Sequence, residues 1–289
     1  MMNLECNICK SKQINDYFYV DKWNIVKCGD CGLVFVGNVP EDNELKSIYD
    51  DKFFLDGQKS PIEGGDITEN PTYYNSIKRI EALKKQGYDS GRMLDIGCAT
   101  GIFLKAATST YDCYGLDVSD VAVNIAVNQI GVNAKCGTVF DLKEDEGTYD
   151  VITMWDVIEH VKDPTEYIKK TSNFLKKGGL LVVSTGNIDS LMFKIQKKKW
   201  HLMIPPFHLF YFNTNNIKKL LEKNGLEVLK IFHDGQSTNV GYITSKMYRM
   251  NPTNILIKYI NKFVHFSRLS KLNIYLNLFD VMTVYSIKK

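Results

Sequence analysis

The chain has 289 residues, 44% of them hydrophobic, which is material for at least one full core and a length suited to roughly two domains. Thirty-six basic residues against thirty-three acidic leave +3, too even a balance to point to a nucleic-acid or membrane partner. No run of about 18 apolar residues occurs, and the start Met1-Met2-Asn3-Leu4-Glu5-Cys6 lacks the charged and apolar regions of a secretory signal, so the expected place is the cytoplasm. The seven cysteines fit that compartment. Four form two close pairs, and Cys98, Cys113 and Cys136 fall in strand-like or turn-like stretches where small buried thiols are common, so no disulfide framework is implied.

Residues 1 to about 37 carry Cys6-x2-Cys9, then eighteen residues, then Cys28-x2-Cys31-Gly32. Two such knuckles can present four thiolates to one ion, and the binding energy can fold a segment too short for its own core. The expectation is a structural Zn2+ at Cys6, Cys9, Cys28 and Cys31, against a reading as four unrelated thiols. Residues 38–90 hold Pro40, Pro61, Gly64-Gly65 and Pro71 among acidic and aromatic residues, which reads as a linker with some helix. Its last part, Asn70 to Leu83, opens with a turn signal and then places Ile77, Ile80 and Leu83 at helical spacing, predicting a helix that covers the coming sheet. Tyr73 and Tyr74 on it would either pack or touch a ligand.

From residue 91 onward strands and helices alternate. Strands are expected near 92–97, 112–117, 133–137, 149–155 and 179–184, with helices near 101–109, 119–130, 164–176 and 214–224, a repeat that implies a mostly parallel sheet. Leu226 to Phe232 and Phe279 to Ile287 read as two further strands, separated by an insertion over 236–275. Met93-Leu94-Asp95-Ile96-Gly97-Cys98-Ala99-Thr100-Gly101 is an apolar strand running into an acidic residue and a glycine-punctuated turn, and sixteen residues after Gly101 the next strand ends on Asp117. Glycines there permit close backbone approach to a ligand, and a carboxylate at the end of the second strand can accept from ribose hydroxyls. The bland alternative for Asp117 is a cap on the following helix.

These segments together resemble a class I S-adenosylmethionine-dependent methyltransferase over roughly residues 70–235 plus the final strand. The Leu94–Gly101 stretch matches that family's first motif with Ala99 where glycine is usual. Tyr149-Asp150-Val151-Ile152-Thr153-Met154-Trp155-Asp156 resembles its fourth strand, and Leu175-Lys176-Lys177-Gly178-Gly179 its turn into the fifth. The resemblance implies a Rossmann-like seven-stranded sheet with helices on both faces, preceded here by a small zinc ribbon. It also implies S-adenosylmethionine as cofactor. Asp95, Gly97, Cys98, Ala99 and Gly101 would hold the methionyl part, Asp117 the ribose, and Val118 would flank the adenine. Thr138 stands where an acidic adenine contact is common, so the backbone of Thr138 and Val139 would serve instead, with Trp155 and Tyr74 also against the cofactor.

Directly after the fourth strand come Asp156, Glu159 and His160, offsets that share one face of a helical turn. One reading makes His160 a general base for an acceptor hydroxyl, with Asp156 and Glu159 beside it. A second is similar to O-methyltransferases of ubiquinone biosynthesis and small-RNA 2′-O-methylation, where a comparable acidic-x-x-Glu-His motif binds a divalent ion. A third leaves Asp156 as an N-cap and the others as ordinary helix residues. Pro205-Pro206-Phe207-His208-Leu209-Phe210-Tyr211-Phe212 is similar to a segment lining the entrance of sugar and lipid-intermediate methyltransferases, which makes His208 a second catalytic candidate. Lys197-Lys198-Lys199 reads as a solvated helix end or a phosphate site. An Asn-Pro-Pro-Tyr tetrad, used by similar enzymes on base amino groups, is absent, which argues for oxygen, or less often carbon, as acceptor.

The insertion places Leu256, Tyr259, Ile260, Phe263 and Val264 at helical spacing, with Lys258, Asn261, Lys262 and His265 on other faces. Core packing or a homodimer is the plain reading, and peripheral membrane contact near a lipid-linked acceptor the other. The expected activity is methyl transfer to a hydroxyl of a sugar-like or lipid-linked small molecule in cell-surface polysaccharide or related biosynthesis, with no nucleic-acid partner. The rivals are an RNA methyltransferase gripping through its ribbon, and a scaffold that keeps cofactor without turnover.

Overall fold

The strands of a parallel sheet are covered on both faces, so they need nearly continuous apolar runs, and Val151–Met154 and Leu180–Val183 supply them. The computed structural model describes residues 4–40, 67, 70–143, 146–233, 235–250 and 253–289; most of the stretch read as a linker, 41–66 and 68–69, lies outside these. In chain order the elements are β1 (Ile14–Val20), β2 (Trp23–Cys28), β3 (Val34–Val36), α1 (Pro71–Lys85), β4 (Arg92–Ile96), α2 (Ile102–Ala107), β5 (Asp112–Asp117), α3 (Asp120–Ile125), β6 (Ala134–Cys136) and β7 (Tyr149–Trp155). There follow α4 (Pro164–Phe174), β8 (Leu175–Gly186), α5 (Leu191–Gln196), β9 (Phe210–Tyr211), α6 (Thr214–Lys223), β10 (Leu226–Phe232), β11 (Gln236–Asn239), α7 (Val240–Met250), α8 (Ile255–Phe266), β12 (Asn273–Leu276) and β13 (Val281–Lys288).

The main sheet has seven strands in the order β10-β13-β8-β7-β4-β5-β6. The five strands from β8 to β6 run parallel, and β13 is antiparallel to both neighbours. It is the Rossmann-like, mostly parallel sheet that the βα repeat implies. Register sets Asp95 opposite Gly115 on one side and Thr153 on the other, so the ends of β4, β5 and β7 open on one rim, the crevice where open α/β sheets bind ligands.

Local chemistry explains the helix starts. Asn70 caps α1 through the Thr72 N–H with Pro71 at the first position, and Asp163 and Pro164 do the same for α4. Two expectations need correcting. The helix expected over 119–130 narrows to α3 and then widens into a π turn over Ala126–Ile130, stopped by Gly131 in the left-handed region. The fifth strand starts earlier and ends later than 179–184, because Leu175 pairs with Tyr149 of β7 and Thr185 and Gly186 pair with Met282 and Val281 of β13.

The cysteine-bearing segment does not stand apart. Its sheet has the order β1-β2-β3-β9, the fourth strand coming from far along the chain, and Ile25, Leu33 and Val34 share one apolar cluster with Ile152, Phe174 and Phe212. Asn7 donates to Asp163, Thr165 donates to Asn7, and Lys223 donates to the Ile8 carbonyl, which closes the seam with polar contacts. No helix among the described residues is long and apolar enough to cross a membrane.

Candidate active site

The turn after β4 is shaped by what its neighbours leave no room for. Gly97 lies at φ +75°, and a Cβ there would stand 2.3 Å from Val157 Cγ2; at Gly101 (φ +80°) it would stand 2.7 Å from Val132 Cγ2. Ala99 also takes a left-handed backbone, φ +46°, a conformation that favours glycine. Its amide explains how it is held: Ala99 N–H donates to Asp117 Oδ2 at 2.8 Å, and Ser119 N–H donates to Oδ1 at 2.9 Å. Asp117 therefore ties the turn to the end of β5. Ser119, not Asp117, caps α3. Each carboxylate oxygen has a second lone pair, so Asp117 can still accept from a ligand.

Asp95 is buried beneath that turn and accepts from Thr153 Oγ1 at 2.6 Å. Burial pushes its carboxyl up to about 7, against the pull of Thr153 and of the Arg79 charge. Cys98 is buried in the turn, whereas Val118 is well exposed beyond β5, as a wall for a flat ring requires. The side chains of Thr138 and Val139 are engaged within the protein. The Thr138 hydroxyl bonds the Asp141 carboxylate at 2.8 Å in a reciprocal capping box, and Val139 is fully buried. The Thr138 N–H and carbonyl are themselves bonded to Asp141, and Asp141 was not singled out in the sequence, because a carboxylate three residues on carries no signal without the turn that returns it.

At the end of β7 the helical turn expected for Asp156 to His160 does not form. Asp156 sits at φ +57°, and the chain closes a tight turn with the His160 N–H on the Val157 carbonyl. Asp156 consequently faces β8, where Ser184 Oγ donates to it at 2.8 Å. It is neither an N-cap nor grouped with the other ligand atoms. Glu159, His160 and His208 are brought together instead, with ligand atoms within 4.8 Å of one another, and the two imidazoles meet edge to face at 4.7 Å.

Glu159 is only 3% exposed and its Oε2 has no hydrogen-bond partner among the described residues. Burial, reinforced by the Asp156 charge, pushes its carboxyl up to about 8. Burial lowers both histidines, His208 to about 3 with the neighbouring His160 adding to it. Both rings are thus neutral at pH 7. His160 Nδ1 lies 2.7 Å from the Phe207 carbonyl, which can only accept, so the basic lone pair falls on Nε2. Tyr211 is buried in the same core, its hydroxyl has no hydrogen-bond partner among the described residues, and its ring centroid lies 6.3 Å from that of His208.

Backbone bonds place His208. Leu209 N–H donates to the Glu159 carbonyl at 2.8 Å, and Val36 N–H of the cysteine-bearing sheet donates to the Leu209 carbonyl at 2.9 Å. In that sheet Cys6 and Cys31 sulfurs are 3.4 Å apart, Cys9 and Cys28 sulfurs 3.5 Å, and all four lie within 4.8 Å. Tetrahedral Zn–S bonds of about 2.3 Å put sulfurs about 3.8 Å apart, so the four thiols fit one ion.

A cleft beside the rim is lined by Asn75, Arg79 and Ala82 of α1, by Trp155 and Ser184, and by Tyr275 of the insertion. Tyr74 is half exposed under Lys78 and does not line it. The Arg79 guanidinium lies 4.0 Å over the Trp155 ring. Sequence reasoning passed over Arg79, although its helical spacing from Asn75 and Ala82 marks that face. Lys197–Lys199 are solvent exposed, while the adjoining Trp200 is buried and donates to Asp280 at 3.0 Å.

The sheet order, with a glycine turn and Asp117 at its open rim, is that of a Rossmann-like nucleotide-binding fold. Residues 72–231 match the family model described as a methyltransferase domain, and the chain belongs to that family: it is an S-adenosylmethionine-dependent methyltransferase. It is 25% identical over 208 residues, 68% of this chain and 86% of the relative, to a ubiquinone biosynthesis O-methyltransferase of Coxiella burnetii. To the protein of that name from Parvibaculum lavamentivorans it is 30% identical over 131 residues, 41% of this chain, and the match spans about half, 52%, of the relative's length. Magnesium protoporphyrin IX methyltransferase from Synechocystis PCC 6803, solved with bound SAH, shares the fold with a TM-score of 0.56 at 15% identity, covering 86% of this chain and all, 100%, of the other.

Proposed function

We propose that this chain transfers the methyl group of S-adenosylmethionine to a hydroxyl oxygen on a small, ring-bearing acceptor. The observation that carries the reading is the joining of Glu159, His160 and His208 into one buried cluster just beyond Trp155. The acceptor oxygen attacks the methyl carbon as the carbon–sulfur bond breaks. Its proton passes to Nε2 of His160, oriented by the bond to the Phe207 carbonyl. Gly97 to Gly101 and charged Asp95 hold the methionyl part, Arg79 its carboxylate, Asp117 the ribose, and Val118 one face of the adenine.

Glu159, His160 and His208 also suit a divalent ion, since one carboxylate oxygen lacks a partner and both rings are neutral; such an ion would acidify a coordinated hydroxyl. Asp156 is left out of that set and holds Ser184. Zinc at Cys6, Cys9, Cys28 and Cys31 would be structural, because four thiolates leave no open position.

Aromatic walls at Trp155, Tyr275 and Tyr285 favour a ring on the acceptor. A sugar-like or lipid-linked hydroxyl follows from the Pro205–Phe212 segment, while the names of the relatives favour a hydroxyl on a ubiquinone precursor. Incubation with methyl-labelled S-adenosylmethionine and separate panels of sugars, sugar lipids and phenols tests the reading. Label in an alkali-stable ether is the expected result. Label found only in amines or RNA, or no turnover with any panel, would sink it.

A further inference from the structure

Between Gly235 and Phe279 the chain has no Asp or Glu and six basic residues: Lys246, Arg249, Lys258, Lys262, Arg268 and Lys271. The whole chain carries +3, so the rest of it carries −3 and the positive charge is concentrated here. The segment builds α7, α8 and the antiparallel pair β11 and β12. In α8 only a narrow face turns inward, with Val264 buried and Ile257 and Asn261 half-buried.

The apolar face points the other way. Ile255, Leu256, Tyr259, Ile260, Phe263 and Phe266 are all exposed, Phe263 by 64% and Phe266 by 94%. At about 100° per residue they form a continuous arc of roughly 140°, and Lys258 and Lys262 fall along one border of it. Leu272, Tyr275 and Leu276 extend the exposed apolar surface. Of the residues expected to pack on this helix only Val264 does so within the described residues, and a monomer rarely leaves such a surface open without a use.

We propose that this insertion lies in the surface of an anionic membrane, with the α8 arc among the acyl chains and the bordering Lys258 and Lys262 at the headgroups. The charge selects this occupant. A second copy would bring a second Lys258 and Lys262 to the border of the same arc in a segment without carboxylates, and a nucleic acid would satisfy the cations but not an apolar arc, whereas anionic lipid complements both. The insertion is also tied to the cleft. Asn75 of α1 exchanges two hydrogen bonds of 2.9 Å with the Ser237 backbone, and Lys78 lies 4.6 Å over the Tyr275 ring. A membrane under α8 therefore places the cleft mouth at the lipid surface, where an amphiphilic acceptor would be presented. That last clause rests on the methyl-transfer reading; the surface itself does not.

Co-sedimentation of the full chain with vesicles of phosphatidylcholine alone, and of phosphatidylcholine with phosphatidylglycerol, tests the proposal, with SAH binding as a separate check on the fold. The expected result is association with the anionic vesicles, weakened by salt. Phe263→Ser with Phe266→Ser should reduce it by roughly tenfold or more, and Lys258→Glu with Lys262→Glu should reduce it toward the level on neutral vesicles, all with SAH affinity unchanged. Absence of vesicle binding by the wild type overturns the proposal. So does a stable dimer dissociated by the phenylalanine substitutions, or RNA binding that the lysine substitutions abolish while vesicle binding persists.

Discussion

The two ends of the proposed active site are built in opposite ways. The cofactor end is local: Asp95 to Gly101 and Asp117 lie within one strand–helix–strand unit, and two backbone amides lock them together. The acceptor end is assembled from a turn after β7, a loop before β9 and a sheet carried by the cysteine knuckles, joined through the Glu159–Leu209–Val36 backbone ladder. A local site can be maintained by its own geometry, whereas a composite one is only as rigid as the parts that bring it together.

Breaking the cysteine set should separate the two ends most strongly. Cys28→Ser with Cys31→Ser, or strong chelation, should cost more than about 4 kcal/mol in stability if zinc holds the ribbon, read by denaturant unfolding. At a temperature where the variant remains folded, turnover should fall further than SAH affinity; equal losses would show that the ends are not independent. Next, His160→Ala should lower kcat by about 10²- to 10⁴-fold with SAH affinity intact by calorimetry. Asp117→Ala should do the reverse, weakening SAH by about 1–3 kcal/mol through lost charge-assisted bonds, with kcat at saturation close to wild type.

The smallest effect is a pH dependence confined to the cofactor end. Asp95, raised to about 7, is protonated below that pH in the unliganded protein and charged above it. The ammonium of the methionyl group prefers the charged form, so SAH affinity should rise between about pH 6 and about pH 8, by at most about tenfold per unit. Stability of the unliganded protein should run the other way. The folded pKa exceeds the unfolded one, so this contribution is complete below about pH 4 and is lost as pH rises through about 7. Asp95→Asn should flatten both slopes.

What was legible in the sequence follows the same division. The parallel sheet and the Asp95–Asp117 rim could be read because hydrophobic runs, glycines and a carboxylate recur at short, fixed spacing. Asp156 was misplaced, because its spacing to Glu159 and His160 fits a helix and only the positive φ turns it toward Ser184. His208 could be named as a candidate but not set against His160, since that contact depends on β9 pairing with β3. The apolar stripe of α8 was visible as a stripe; that it faces outward depends on α7 taking the opposite side of the helix, where Ser245 bonds Asn261 and His265.

The two-residue strand β9 has a consequence for biosynthesis. β1, β2 and β3 leave the ribosome long before β9, but Val34 and Phe35 pair with Tyr211 and Phe210, which are made only after the intervening β4 to β8. Until then β3 presents an unpaired edge, the kind of surface that recruits stray strands. Metal capture by the knuckles would leave a folded fragment with one open side, and closing that side is an event of late translation. An amino-terminal fragment ending before Phe210 should therefore self-associate even when its four thiols are filled.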